Sequence, residues 1–197
     1  KTFRNNISVN KAKNSFKFSF LNQEKLLDIP FYWNNKEWDR LWQFNLHYFD
    51  WIRSDLDKFV SEKYSTESIE SSGFLIDQWI KYNPIGKGDG WHSYTISLRI
   101  RNWIWLFRII PSSKKPERLK SLWNQILWLR SNIEFHLGGN HLIENLTALA
   151  FCCLQFDGKY SEKIYLFAMR KLKIEVKNQM LKDGGHEERS ATYHALI

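Results

Sequence analysis

Apolar residues first alternate along this chain and then recur at helical spacing. Phe16-Lys17-Phe18-Ser19-Phe20-Leu21 puts every second side chain on one face, which predicts a short extended segment. Pro30 and the Asn34-Asn35 pair break that pattern. From Asp39 onward the period changes. Leu41, Phe44, Leu46, Tyr48, Phe49, Ile52, Leu56 and Phe59 fit one helix from Leu41 to about Val60. A second is predicted over roughly Glu67 to Lys81, stopping before Pro84, with Gly73 as a weak point. Gly86-Lys87-Gly88-Asp89-Gly90 reads as a loop. A third helix runs from about Ser93 to Ile110, where Pro111 ends it, and Pro116 opens a fourth that reaches about Leu137. Gly138-Gly139 breaks the chain before a fifth helix from Asn140 to Phe156. A sixth covers about Ser161 to Leu181, Asp183-Gly184-Gly185 breaks again, and a seventh starts near Ser190.

This order predicts an all-α protein with a short extended N-terminal segment over 1–38 and a helical domain over 39–197. Long helices joined by short Gly and Pro breaks form stacked hairpins. With no short repeat visible, an irregular α/α toroid is expected rather than a regular solenoid. Connections alternate between the two ends of such an array. The glycine breaks at 138–139 and 183–185 are two connections apart, so both are expected to open onto one rim.

Composition narrows the function classes. The 197 residues suffice for one domain with a substantial core, and hydrophobic residues make up 43%. No apolar run approaches the roughly 20 residues that span a bilayer. The net charge of +8 favours an anionic partner, and nucleic acid, a membrane surface and an acidic polysaccharide all qualify on charge alone. Aromatics form 16% of the chain and include ten Trp, of which most are expected in the core and two or three are expected to face a ligand. Trp33, Trp38 and Trp91 stand near predicted loops, where rings can stack on sugar faces. Cys152 and Cys153 lie in an apolar helical run and read as buried thiols, without metal-ligand spacing. Lys1 in place of Met predicts that the native start lies upstream.

The chemistry-bearing residues gather at the glycine breaks. Four of the six histidines, His136, His141, His186 and His194, bracket them; His47 and His92 lie earlier. In the first cluster Asn140 sits at a helix start, where it can serve as an N-cap, and His141 and Asn145 share a helical face. The second cluster is Gly185-His186-Glu187-Glu188-Arg189-Ser190-Ala191-Thr192-Tyr193-His194, with Arg189 and Tyr193 four apart. A third group is Trp91-His92-Ser93-Tyr94 with Arg99, Arg101 and Asn102. Capped helix starts, a core histidine and a solvated basic face account for each group taken singly. Together they offer amide, imidazole, phenol and guanidinium groups at one rim, which is what elimination on a uronic acid requires. The C5 proton is α to a carboxylate, so its removal builds charge that neutral or cationic donors must stabilise. A Tyr or His then takes the proton, and one of them protonates the departing O4. Tyr acts as a base only with a lowered pKa, which Arg189 or His194 could provide. No nucleophile elbow, phosphate loop, paired-carboxylate spacing or metal set is evident.

Four stretches resemble the heparinase II/III-like family. They are Leu41-Trp42-Gln43-Phe44-Asn45-Leu46-His47-Tyr48-Phe49-Asp50-Trp51, the run from Trp91 through Trp103, Gly139-Asn140-His141-Leu142-Ile143-Glu144-Asn145, and Gly185 through His194. The resemblance implies an incomplete α/α toroid, with the family's β-sandwich not present in this chain, and cleavage of acidic polysaccharide by β-elimination. It implies that Asn140 neutralises the uronate carboxylate with His141 beside it, and that Tyr193 is the Brønsted acid and also a candidate base. His194 joins the catalytic set. Trp91, His92, Arg99, Asn145, His186, Glu188 and Arg189 are the expected substrate-binding residues. The family also uses a later His, from beyond Ile197. The partner implied is an acidic polysaccharide rather than nucleic acid or an inserted membrane, with no cofactor or metal; the sequence does not fix the location, and a periplasmic or secreted bacterial one is the suspicion. Two other readings stay open. One is a non-catalytic module that binds acidic glycan. The other is a toroid glycoside hydrolase, which needs two carboxylates across a cleft and has Glu144, Glu187 and Glu188 nearby.

Overall fold

A computed structural model describes residues 6–10, 15–61 and 67–181. The N-terminal strands are β1 (Asn6–Asn10), β2 (Ser15–Phe20) and β3 (Gln23–Asp28), an antiparallel sheet in the order β1-β2-β3. The extended segment read from the alternation is thus the middle strand of three. Leu21 and Asn22 both have positive φ, 53° and 61°, as a two-residue hairpin turn requires. Phe16, Phe18 and Phe20 are all buried on the inner face, and Phe18 packs edge-on against Trp51 with ring centres 5.6 Å apart.

Seven helices follow among the described residues: α1 (Arg40–Tyr48), α2 (Ile52–Ser61), α3 (Glu67–Tyr82), α4 (Ser93–Ile109), α5 (Pro116–Ser131), α6 (Gly139–Cys153) and α7 (Lys159–Gln179). The all-α expectation holds, with the small sheet added. Asp39 caps α1 by accepting the Trp42 N–H at 3.0 Å. The single helix expected from Leu41 to Val60 is two. Phe49 turns left-handed at φ 60°, and α2 starts three residues later. The break is held from α4: Asn102 Nδ2 donates to the Tyr48 carbonyl at 2.9 Å and to Asp50 Oδ1 at 2.7 Å. It also lets Phe49 and Trp51 both bury completely, with rings 4.6 Å apart. A continuous helix would place them 200° apart around its axis. The fourth predicted helix likewise ends early, at Ser131 instead of Leu137, because Ile133 and Glu134 turn inward.

The core runs without interruption from the sheet through α1 to α7, and Trp33, Trp42, Trp51, Trp79 and Trp103 are among its largest fully buried side chains. Trp33 and Trp91, expected to face a ligand, are core residues: Trp33 stacks on Phe49 and Trp91 Nε1 donates to the Asn83 carbonyl. Trp38 is partly buried and packs edge-on against Trp42. Cys152 and Cys153 are buried free thiols, and burial pushes both pKa values up, Cys153 to about 11. Among the described residues no helix is long and apolar enough to cross a membrane.

Candidate functional site

The starts of α4 and α6 meet over the connection that leaves α5. Gly138 and Gly139 both adopt positive φ, 62° and 50°, a conformation L side chains rarely accept, and this bends the chain into α6. Gly138, not Asn140, is the N-cap, so Asn140 and His141 fall in the first turn, at the positive end of the helix dipole. That turn contains no acidic residue. Both side chains are partly exposed. His92 caps α4 by its backbone conformation alone, and its side chain is 45% exposed.

A residue absent from the sequence-based set sits between the two histidines. Glu134 is only 4% exposed. Its Oε2 is 3.3 Å from His141 Nδ1, and its Oε1 is 3.5 Å from His92 Nδ1. Asn145 is buried directly beneath: its Nδ2 donates to Glu134 Oε2 and to Ser97 Oγ, both at 3.1 Å, and its Oδ1 accepts the Glu134 N–H at 2.9 Å. The Tyr94 ring lies 4.4 Å from the His141 ring, and Tyr48 packs against Tyr94 at 6.1 Å. Burial, then the neighbouring Tyr94, Asp50 and Glu134, push the Tyr48 hydroxyl pKa up, so it stays protonated as a donor. The corner therefore offers a neutral phenol, two imidazoles, a buried carboxylate and the Asn140 amide.

The structure brings His92, Asn140, His141 and Asn145 to this corner, with Asn145 inside it and the other three at its surface. Trp91 and Arg99 lie elsewhere. Trp91 is 5% exposed, leaving little of the ring for a ligand. Arg99 is completely buried, stacked 3.8 Å over Trp79, and donates to Gln125 Oε1 at 2.7 Å and to the His47 carbonyl at 3.3 Å. Its position is that of a strut in the core, and burial pulls its pKa down. His186, Glu188, Arg189, Tyr193 and His194 lie outside the described residues. Glu144 faces the next stretch of α4, 2.9 Å from Arg101, with its pKa raised by burial against the opposing pull of that guanidinium. Arg101 also lines an open groove of about 610 Å³ with Arg53, Trp105 and Phe151. Among the described residues no three His, Cys, Asp or Glu side chains could hold a metal ion.

Glu134 and Tyr48 escaped the sequence reading for one reason each. Glu134 was hidden by extending the fourth helix past Ser131, and Tyr48 passed as one more apolar position of a single long helix. Asn132, three residues after Leu129 and just ahead of the inward turn, was the available sign of an earlier end.

Stacked helical hairpins behind one small antiparallel sheet define the class, an architecture shared with the leading helical region of heparinase structures. The model of the family described as heparinase II/III N-terminus matches residues 5–197, and the chain belongs to that family. A heparinase III structure is similar at 24% identity and a TM-score of 0.69, covering 83% of this chain and 27% of its own. A second heparinase III, with methylated lysines, aligns at 20% identity with a TM-score of 0.74 over 96% of this chain and 35% of its own. A mutant heparan sulfate lyase from Pedobacter heparinus aligns at 18% identity with a TM-score of 0.72 over 96% and 33%. The chain thus spans about a third of the length of these structures, and at such identities the likeness establishes the fold. No curated protein matches the chain.

Proposed function

We propose that this chain is the leading helical part of a polysaccharide lyase that cleaves a uronate-containing acidic glycan by β-elimination. The observation that carries the reading is the corner at the start of α6, where Asn140 and His141 are partly exposed beside a helix N-terminus free of acidic residues. A uronate carboxylate seated there meets the Asn140 amide, an imidazole and the helix dipole, all of which stabilise the charge that grows as C5 loses its proton. In the elimination the C5–H bond breaks, its electron pair forms the C4=C5 double bond, and the C4–O4 bond breaks. O4 leaves as an alcohol after taking a proton. Tyr193 takes the role of proton donor and candidate base, with His194 beside it, and His186, Glu188 and Arg189 bind or shape the substrate. His92 belongs to the substrate-facing surface.

The course of α7 fits the stacked-hairpin arrangement. Lys171, in its second half, lies 5.9 Å from the Phe135 ring just ahead of α6, so α7 runs back toward the end where α6 begins. The helices α1 to α7 correspond on this reading to part of an α/α toroid.

The test is made on the full-length protein with heparan sulfate and other uronate glycans. Wild type releases an unsaturated product that absorbs in the ultraviolet, and Tyr193→Phe and Asn140→Ala each lower its turnover by at least about 100-fold. Retained turnover in Tyr193→Phe removes Tyr193 from its role. Salt-sensitive glycan binding without any new chromophore identifies a binding module instead, and products lacking a double bond identify a hydrolase.

A further inference from the structure

We propose that Glu134 is a positioning residue that fixes the tautomer of His92 and His141 together, holding Nδ1–H of each ring toward its carboxylate and leaving both Nε2 lone pairs facing the open corner. The inference extends the lyase reading and rests on it for the nature of the group that those lone pairs meet.

A carboxylate only accepts hydrogen bonds, so a neutral imidazole nitrogen that faces it carries the proton, and the other ring nitrogen then keeps its lone pair. Glu134 can impose this on two rings because it is itself immobilised. Its backbone N–H and its Oε2 are both bound to Asn145, which Ser97 supports in turn. Oε2 faces His141 Nδ1, and Oε1, which has no hydrogen bond among the described residues, faces His92 Nδ1. Among the described residues the groups packed around the carboxylate are few. From α1 comes Tyr48, protonated, and from α4 the Tyr94 ring against His141, while the Phe44 ring lies 5.6 Å from His92. None of them supplies a competing cation. The two imidazoles come from different helices, yet one buried carboxylate gives them the same outward chemistry: an acceptor for a sugar hydroxyl or for a proton.

The readout is the ring nitrogen shifts of His92 and His141 in long-range proton–nitrogen correlation spectra of ¹⁵N-labelled chain, near about pH 9, where imidazoles are neutral. Both rings are expected in the Nδ1–H form. Glu134→Gln is close to isosteric. Its amide oxygen must occupy the Oε2 position to accept from Asn145 Nδ2, which places its NH₂ against His92. His92 therefore switches to Nε2–H while His141 stays Nδ1–H. Glu134→Ala sends both rings to the Nε2–H form that an unconstrained histidine side chain prefers, and if it fails to fold, Glu134→Gln decides alone. Nε2–H in either wild-type ring, or unchanged His92 in Glu134→Gln, overturns the proposal. In full-length protein Glu134→Gln is expected to lower kcat by about tenfold or more at near-constant KM. If wild type makes no unsaturated product, the lyase reading fails, and the ring tautomers still decide the role of Glu134.

Discussion

Asn145 grips Glu134 at two points, accepting its backbone N–H at 2.9 Å and donating to its Oε2 at 3.1 Å. One side chain on α6 thereby sets both where the chain turns after α5 and where the carboxylate points. Both residues are buried, so losing the first contact strips the Glu134 N–H of its acceptor, while losing the second leaves Oε2 with only His141 among the described residues. Asn145→Ala should cost about 2–4 kcal/mol, since it orphans a buried backbone N–H and removes one of the two donors to a buried carboxylate oxygen. Urea unfolding checks the value. A cost under about 0.5 kcal/mol would show that water replaces the amide freely.

Gly90 makes room for the buried His47–Trp79 pair. Trp79 Nε1 donates to His47 Nδ1 at 3.0 Å, and a Cβ on Gly90 would stand 2.9 Å from that same Nδ1 and 3.2 Å from the Trp79 ring. Neither ring can retreat, because both are fully buried. Gly90→Ala should therefore destabilise the fold by about 1–3 kcal/mol, the range of overpacked cores, with a lower Tm in thermal unfolding.

Gly73 lies inside α3, where alanine is ordinarily favoured by about 1 kcal/mol. Here the sign reverses. A Cβ would come within 2.9 Å of the Arg118 guanidinium, which donates to the Gly73 carbonyl at 2.8 Å, to the Ser113 carbonyl at 2.9 Å and to both Asp77 oxygens. A side chain tied at so many points cannot swing aside. Gly73→Ala should lower stability by about 1–2 kcal/mol, measured by urea unfolding, and Gly73→Ala with Arg118→Ala should show strong non-additivity.

These cases also mark what was legible in advance. Helix spacing and the Gly and Pro breaks located α3, α4, α6 and α7 to within a few residues, because an apolar stripe and a chain break are local properties. Gly73 was visible as a weak point, but its cause, a guanidinium from α5, was not. The split at Phe49 depends on Asn102, about fifty positions along the chain. The same holds for chemistry. Asn140 and His141 stand out in the sequence by their position after two glycines, and the structure puts both in the first turn of α6. Glu134 gains its meaning only from Asn145, His92 and His141 arriving around it. Arg99 failed as a substrate ligand because sequence pattern does not tell a buried cation, stacked on Trp79 and bonded to Gln125, from one on a solvated face.

His47 gives the fold a defined response to acid. Burial, and then the nearby Arg99 charge, push its pKa down to about 3 from the ordinary 6.5. Its Nδ1 accepts from Trp79, so the neutral ring carries its proton on Nε2. Above pH 6.5 neither the folded nor the unfolded chain protonates this ring, and His47 contributes no pH dependence. Between about pH 6.5 and pH 3 the unfolded chain binds a proton that the folded chain refuses, so stability falls as pH falls, by about 1.4 kcal/mol per unit. From pH 7 to pH 5 the loss through this ring is about 2 kcal/mol. His47→Gln keeps an acceptor for Trp79 but cannot titrate. Urea unfolding at both pH values should show the wild type losing about 2 kcal/mol more than His47→Gln does. Equal losses in the two proteins would mean that the ring accepts a proton without leaving the core, with Arg99 displaced or neutral beside it.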